Sequence, residues 1–323
     1  VALAAVGFFR ETWMGWFTSN EIGGSIVDVP DFVPPILATD RPEDARLDGG
    51  PHADVTERGS DPLLLASPST SPRDPERAVA LLASAGRALE QKDPILARAQ
   101  FSEAVTVGLP PKDELAARTE LRRLGQKTIF SSVVEAGDPF AEYYVLVPGD
   151  TLSKVASAHD VTPELLARIN NIADVNRIAA GRRIKTIRGP FHALVTKSTF
   201  TLDVFLGDTL VDHFKVGLGA EGATPTGRWR VNSKLKNPTY YSPRGEGIVS
   251  AADPKNPLAE RWLGLEGIAG DAAGQMRYGI HGTIEPDSIG RNASLGCIRM
   301  HNKDVEVLFD LLIAGESTVE IRD

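Results

Sequence analysis

A single cysteine among 323 residues excludes an internal disulfide and leaves one thiol, Cys297. In an exported protein such a thiol counts as a reactive group. Structural zinc needs several thiols or histidines at fixed spacing, and one cysteine with scattered histidines lacks that pattern, so no metal is expected. Positive charge is also scarce. Lys and Arg number 35 against 43 Asp and Glu, a net charge of -8, which excludes the basic stripe of a nucleic-acid-binding protein. No long apolar run is present either: Val1 to Phe9, VALAAVGFF, is cut by Arg10 and Glu11, whereas a membrane-spanning helix needs about 20 apolar residues. With Trp13, Trp16 and Phe17 as interfacial aromatics, residues 1–19 read either as the remnant of a truncated membrane anchor or signal segment, or as an ordinary N-terminal helix. The first residue is Val rather than Met, which suggests a fragment or a processed product.

The remaining composition supports folded cores. Hydrophobic residues make up 42% and charged residues 24%, and the length suggests two or three domains. Residues 20–74 are rich in Pro, Gly, Ser and Asp with no sustained period, so they read as a disordered tether. Helical spacing starts at Pro75, with Asp74 as cap, and runs to about Gln91 through Ala78, Leu81, Leu82, Ala85 and Leu89. A second helix starts at Asp93-Pro94 and stops at Gly108-Leu109-Pro110-Pro111; a third runs from Asp113 to about Gly125. Residues 75–130 therefore form a helical spacer, with a weak likeness to a tetratricopeptide-type hairpin.

Tyr144-Val145-Leu146-Val147 reads as a strand, Pro148-Gly149 as a turn, and Asp150 as the cap of a helix carrying Leu152, Val155 and Ala156. Thr162-Pro163 opens a second helix, and residues 183–187 return as a second strand. This small βααβ unit, 143–188, with YVLVPGDTLSKVASAHDVTPELLARINNI, resembles a lysin-motif (LysM) domain. The resemblance implies that N-acetylglucosamine-containing glycan binds a groove formed by Gly149, Asp150, Thr151 and Leu152 with the loop from Ile172 to Asn176. The same PGDTL loop reads equally as a helix cap.

From 191 to 323 short alternating strands with Gly and Pro turns argue for a β-sandwich-like domain, closed by a helix from Asn302 to Ala314 and a strand from Thr318 to Ile321. The whole is thus a multidomain α+β protein. The window Tyr278–His301, YGIHGTIEPDSIGRNASLGCIRMH, holds both Cys297 and His281. A glycine before the thiol lets backbone approach a substrate closely and lets amide N–H groups face a carbonyl oxygen. A thiol is mostly protonated near neutral pH, so it needs a base such as His281. A lone cysteine is also often buried, and a histidine beside an isoleucine is often a core residue. HGT followed by SLGCIRM resembles the signature of the L,D-transpeptidase catalytic domain, a family of cysteine enzymes that cross-link peptidoglycan. Ala223-Thr224-Pro225-Thr226-Gly227, Asn237-Pro238-Thr239-Tyr240-Tyr241 and Asn256-Pro257-Leu258 resemble further motifs of that family, and the resemblance spans roughly Phe191 to Arg322. Many members carry a second histidine directly before the glycine of the nucleophile motif. Here Leu295 stands in that place, a difference that falls on pocket shape and substrate choice.

The resemblance implies a two-step acyl transfer without a cofactor. Cys297 attacks the carbonyl before the terminal D-residue of a donor stem peptide and releases that residue; an amine from an acceptor then resolves the thioester. His281 is the base, oriented by the Gly282 carbonyl, and the N–H groups of Leu295, Gly296 and Cys297 are the oxyanion candidates. Paired with a protonated imidazole, the thiol would titrate below its ordinary value. Arg299, Ser294 and Tyr240 are candidate substrate contacts, although Arg299 reads equally as an ion-pair partner and Ser294 as a loop brace. Peptidoglycan is then the partner, and the location is the exported cell envelope or periplasm, with inner-membrane anchoring if 1–19 is an anchor. Two alternatives stand beside this: an L,D-carboxypeptidase in which water resolves the thioester, and a non-catalytic wall-binding protein, which Cys297 and His281 argue against.

Overall fold

The computed structural model describes residues 73–242, 245 and 247–323. The expected anchor remnant at 1–19 and nearly all of the tether at 20–74 lie outside the described residues. Three helices come first: α1 (Pro75–Glu90), α2 (Pro94–Val107) and α3 (Pro111–Thr128). Each has proline in its first turn, where the missing N–H costs nothing. The side chains of Asp74 and Asp93 accept from Arg77 N at 3.0 Å and Leu96 N at 2.9 Å, capping the first two. α3 is longer than the expected 113–125 at both ends. Pro111 serves as its first helical residue, and Gly125 lies inside it rather than ending it. A Cβ on Gly125 would sit 2.3 Å from the backbone oxygen of Val211, so the glycine is there to let the helix touch a strand.

The next unit is β1 (Ala141–Val145), α4 (Leu152–Ala158), α5 (Pro163–Ile169) and β2 (Arg183–Ile187), with β1 antiparallel to β2. The cap of α4 is Thr151, whose hydroxyl accepts from Lys154 N at 3.1 Å; the expected cap, Asp150, does something else. Its carboxylate accepts from Val147 N at 2.8 Å and from the Tyr144 hydroxyl at 3.0 Å, which closes the Pro148-Gly149 turn.

The rest builds one curled eight-stranded sheet, the form taken by the sandwich-like expectation. Its strands are β3 (Phe191–Thr196), β4 (Thr201–Leu206), β5 (Thr209–Lys215), β7 (Gly227–Lys236), β10 (Arg261–Ala269), β11 (Tyr278–His281), β13 (Ile298–Arg299) and β14 (Thr318–Arg322). Their spatial order is β13-β11-β10-β7-β14-β3-β4-β5. Two short pairs flank it: β6 (Leu218–Gly219) with β12 (Asn292–Ser294), and β8 (Tyr240–Tyr241) with β9 (Ile248–Val249). α6 (Asn302–Leu311) packs on β10 and stops short of the expected Ala314, because Leu312 turns to an extended backbone.

The three units share surfaces. One buried apolar cluster runs from Leu152 and Leu165 in the small βααβ unit to Trp229, Ile280 and Val319 in the sheet. The helices bury Leu121 and Leu124 with Leu194, Phe205 and Leu210 of the sheet. Arg118 pairs with Asp203 at 2.5 Å and Arg122 with Asp212 at 2.9 Å across that contact. Arg98, 1% exposed, pairs with Asp138 at 2.8 Å and donates to the Thr128 hydroxyl at 2.6 Å. Lys185 Nζ donates to the carbonyls of Thr128 at 2.5 Å and Val133 at 2.8 Å, tying the βααβ unit to the helices; burial lowers its pKa to about 8. Arg168 pairs with Asp310, and Lys236 with Glu164 at 2.8 Å, tying it to the sheet side. Among the described residues no helix is long and apolar enough to cross a membrane.

Candidate active site

Strand β11 ends at His281 and lies between β10 and β13, so it carries the imidazole to a position flanked on both sides. In register, His281 faces Trp262 of β10 and Arg299 of β13. The indole stacks on the imidazole, with ring centroids 5.8 Å apart and planes at 22°. Gly279 is needed for that indole: a Cβ there would stand 2.4 Å from the ring. His281 is fully buried. Its Nδ1 lies 2.6 Å from the Gly282 carbonyl oxygen, which fixes the proton on Nδ1 because a carbonyl can only accept. Nε2 is then a lone-pair acceptor, and it is buried without a hydrogen-bond partner.

Burial lowers the His281 pKa to about 4, the nearby Arg299 charge adding to the effect and the Gly282 carbonyl opposing it. The imidazole is therefore neutral at pH 7. Burial thus works against the expected protonated imidazole, because desolvation disfavours the charged ring. The arrangement holds a neutral imidazole whose acceptor nitrogen is buried and unpartnered.

Cys297 is 3% exposed and clusters with Tyr240, Leu258 and Trp262. It immediately precedes β13, whose Ile298 pairs with Ile280, one residue before His281. Trp262 thus touches both the thiol's cluster and the imidazole. The loop that presents Cys297 is braced from inside. Ser294, 1% exposed, donates to the Cys297 carbonyl at 2.6 Å and accepts from Gly296 N at 3.1 Å. Two expectations change here. Ser294 is a brace rather than a substrate contact, and the Gly296 N–H, one of the oxyanion candidates, is already engaged by that hydroxyl. Gly296 itself has φ +142 and no room for a side chain, since a Cβ would meet Tyr278 at 2.7 Å and the Ala223 carbonyl at 2.9 Å.

Arg299 is 4% exposed and donates to Glu285 at 2.8 Å. It is a buried ion-pair partner, not a residue presented to a substrate carboxylate. Tyr240 is buried against Cys297. Leu295, 44% exposed, lines a cavity of about 210 Å³ with Gln275, Met276, Arg277, Tyr278, Gly296 and Cys297. Two further residues hold the site. Thr224 accepts from Gly219 N at 2.8 Å and donates to the Gly296 carbonyl at 2.9 Å, so the TPTG turn anchors the loop that carries Cys297. Asn302 Oδ1 accepts from Thr283 N at 2.7 Å and fills the space beside Gly282. The TPTG motif signalled Thr224; nothing in the sequence singled out Asn302.

In the βααβ unit, Gly149 has φ +91 with open space around it, and Thr151 and Asn176 are exposed. Leu152 and Ile172 are 1% and 8% exposed and belong to the core, so their side chains are not groove surface, contrary to expectation. Asp150 is half-buried and its carboxylate is engaged within the turn.

The L,D-transpeptidase catalytic-domain model (YkuD) matches residues 190–321, and the LysM domain model matches residues 144–186. YqjB of Bacillus subtilis, whose name assigns it provisionally to the L,D-transpeptidases, is 38% identical over 128 residues, 39% of this chain and 69% of the relative. YkuD of Bacillus licheniformis, named in the same provisional way, is 31% identical over 180 residues, 53% of this chain and 94% of the relative. The crystal structure of L,D-transpeptidase 3 from Mycobacterium tuberculosis is 11% identical over 57% of this chain and 93% of that one, with a TM-score of 0.32, too distant to add to the assignment. With a catalytic-domain match over 132 residues and relatives covered over most of their length, the chain belongs to the L,D-transpeptidase family.

Proposed function

We propose that this enzyme of the L,D-transpeptidase family acylates Cys297 with a peptidoglycan donor stem peptide, releases the terminal D-residue, and passes the acyl group to an amine acceptor. The observation that carries the reading is the state of His281: neutral, held by the Gly282 carbonyl at 2.6 Å, with Nε2 buried and unpartnered in the strand next to Cys297. Such a nitrogen takes the thiol proton as sulfur attacks the carbonyl carbon. The proton then goes to the leaving amine, and in the second half the same nitrogen takes a proton from the attacking amine. Water is kept from the base by its own burial, with Trp262 stacked on the ring and the buried Arg299 on the neighbouring strand. The LysM unit brings the enzyme to glycan through the exposed Gly149-Thr151 turn and Asn176, and the setting is the cell envelope.

Purified stem peptides incubated with the protein and read by mass spectrometry test the reaction. Cross-linked dimer supports the transfer, trimmed monomer alone supports the hydrolytic carboxypeptidase, and no change overturns both. For the glycan role, the protein with and without Thr151→Asp and Asn176→Asp is sedimented with purified peptidoglycan. Undiminished pelleting of the double variant would overturn the groove.

A further inference from the structure

The cavity that Cys297 shares with Leu295 has its far wall in the β10–β11 connection, residues 270–277. That connection is pinned by its backbone. Gly267 N donates to the Gln275 carbonyl at 2.9 Å, Gly274 N to the Gly267 carbonyl at 3.0 Å, and Gln275 N to the Ala272 carbonyl at 2.8 Å. Its side chains stay outside: Gln275, Met276 and Arg277 are all exposed. Arg277 is held at φ +76, a left-handed backbone that a branched or long L side chain adopts only at a cost. A glycine would relieve it, yet an arginine stands there. Among the described residues its guanidinium has no hydrogen-bond or ion-pair partner, in contrast to Arg98, Arg118, Arg122, Arg168 and Arg299. Among the described residues the cavity lining contains no Asp or Glu, and Arg277 is its one charged residue.

An unpaired, planar cation at the rim of a nucleophile's cavity is suited to a carboxylate. We propose that Arg277 binds the terminal carboxylate of the donor peptide's leaving D-residue and so selects donors with a free C-terminus. This rests on the acyl transfer proposed above. The D-residue's carboxylate is separated from the scissile carbonyl only by one nitrogen and one carbon, so a donor seated on Cys297 carries that charge into the same cavity. The left-handed backbone at 277 is the cost of projecting a long side chain from a pinned turn, and it is tolerated because the turn's own hydrogen bonds over-determine it.

The test compares acylation of the full chain by a donor tetrapeptide and by its C-terminal carboxamide, read as adduct mass against time. The wild type is expected to prefer the free acid by roughly tenfold, the range of a charge-assisted contact at an exposed site. The preference should lie mainly in KM and shrink at high salt. In Arg277→Gln the acid-to-amide ratio should fall to near one, and Arg277→Lys should restore part of it. Arg277→Gly should raise the melting temperature while also losing the ratio, which separates the backbone's cost from the side chain's use. An Arg277→Gln variant that keeps the wild-type ratio, or that slows both peptides equally, overturns the assignment. If the wild type forms an adduct with neither peptide, the transfer reaction falls and this proposal with it; an adduct with no acid preference removes only the role of Arg277.

Discussion

The two edges of the eight-stranded sheet are treated in opposite ways. At the β5 edge ion pairs join helix to strand: Arg118 meets Asp203, Arg122 meets Asp212, and Gly125 lets α3 lie against the Val211 carbonyl. An open strand edge invites pairing with other chains, and here α2 and α3 pack against β5. At the β13 edge the strand has only two residues, Gly296 is held at φ +142, and the His281 Nε2 is buried with no partner. Buried polar groups are normally satisfied. Other buried polar atoms also lack a partner, among them His213 Nδ1 on β5 and His192 Nε2 on β3; what distinguishes the His281 acceptor is its place on the strand paired with the one that follows Cys297.

The largest effects separate the edges by activity. Cys297→Ala should abolish the acyl adduct, on the order of a thousandfold loss or more, and leave the fold intact, since one buried sulfur contributes little packing. His281→Ala should slow acylation by about a hundred- to ten-thousandfold. Adduct formation followed by intact mass, with circular dichroism on the same samples, checks both. A folded Cys297→Ala protein that still forms the adduct removes Cys297 as nucleophile.

Stability should respond at the other end. Arg98→Ala leaves Asp138 buried and unpaired, and breaking a buried pair this way costs about 3–5 kcal/mol. Urea denaturation should show that loss, with acylation at the site retained in the fraction that remains folded. Loss of acylation in fully folded Arg98→Ala would mean the two edges are coupled. A smaller effect belongs to Gly125→Val, which must push α3 from the Val211 carbonyl: about 1–3 kcal/mol by overpacking. An unchanged midpoint there would show that the helix contact is loose.

What the sequence made legible follows from distance along the chain. The proposed nucleophile, base and carbonyl orienter fall within His281 to Cys297, and their order is itself informative. The LysM strands and helices announce themselves by local period and by Thr-Pro and Pro-Gly signals. The docking of α3 was invisible, because Arg118 and Arg122 look like solvated helix charges until Asp203 and Asp212 arrive 85 and 90 residues later. Gly125 read as a stop for the same reason: its cause is the Val211 carbonyl in another element. Ser294 and Arg299 were ambiguous between brace and binder, and burial decides them; no pattern in a single sequence reports burial. The burial of His281 was not legible either, because it depends on the sheet closing around the ring and on Trp262 stacking there.

The central claim is a neutral His281 acting as base on Cys297, and the acylation rate against pH tests it most directly. With the pKa at about 4, single-turnover acylation should lose no rate to imidazole protonation as pH falls through 6.5, and that loss should set in near pH 4. Stability moves in the same range. The unfolded chain takes up the histidine proton from about pH 6.5, the folded chain only near pH 4, so folding weakens as pH falls between them. Rates are therefore read per folded molecule, with His281→Ala as the reference for the thiol's own ionisation. A wild-type profile that, after division by that reference, is level at pH 6.5 and falls near pH 4 is the predicted result. A fall centred on pH 6.5, the value of an ordinary exposed imidazole, would contradict the buried neutral base.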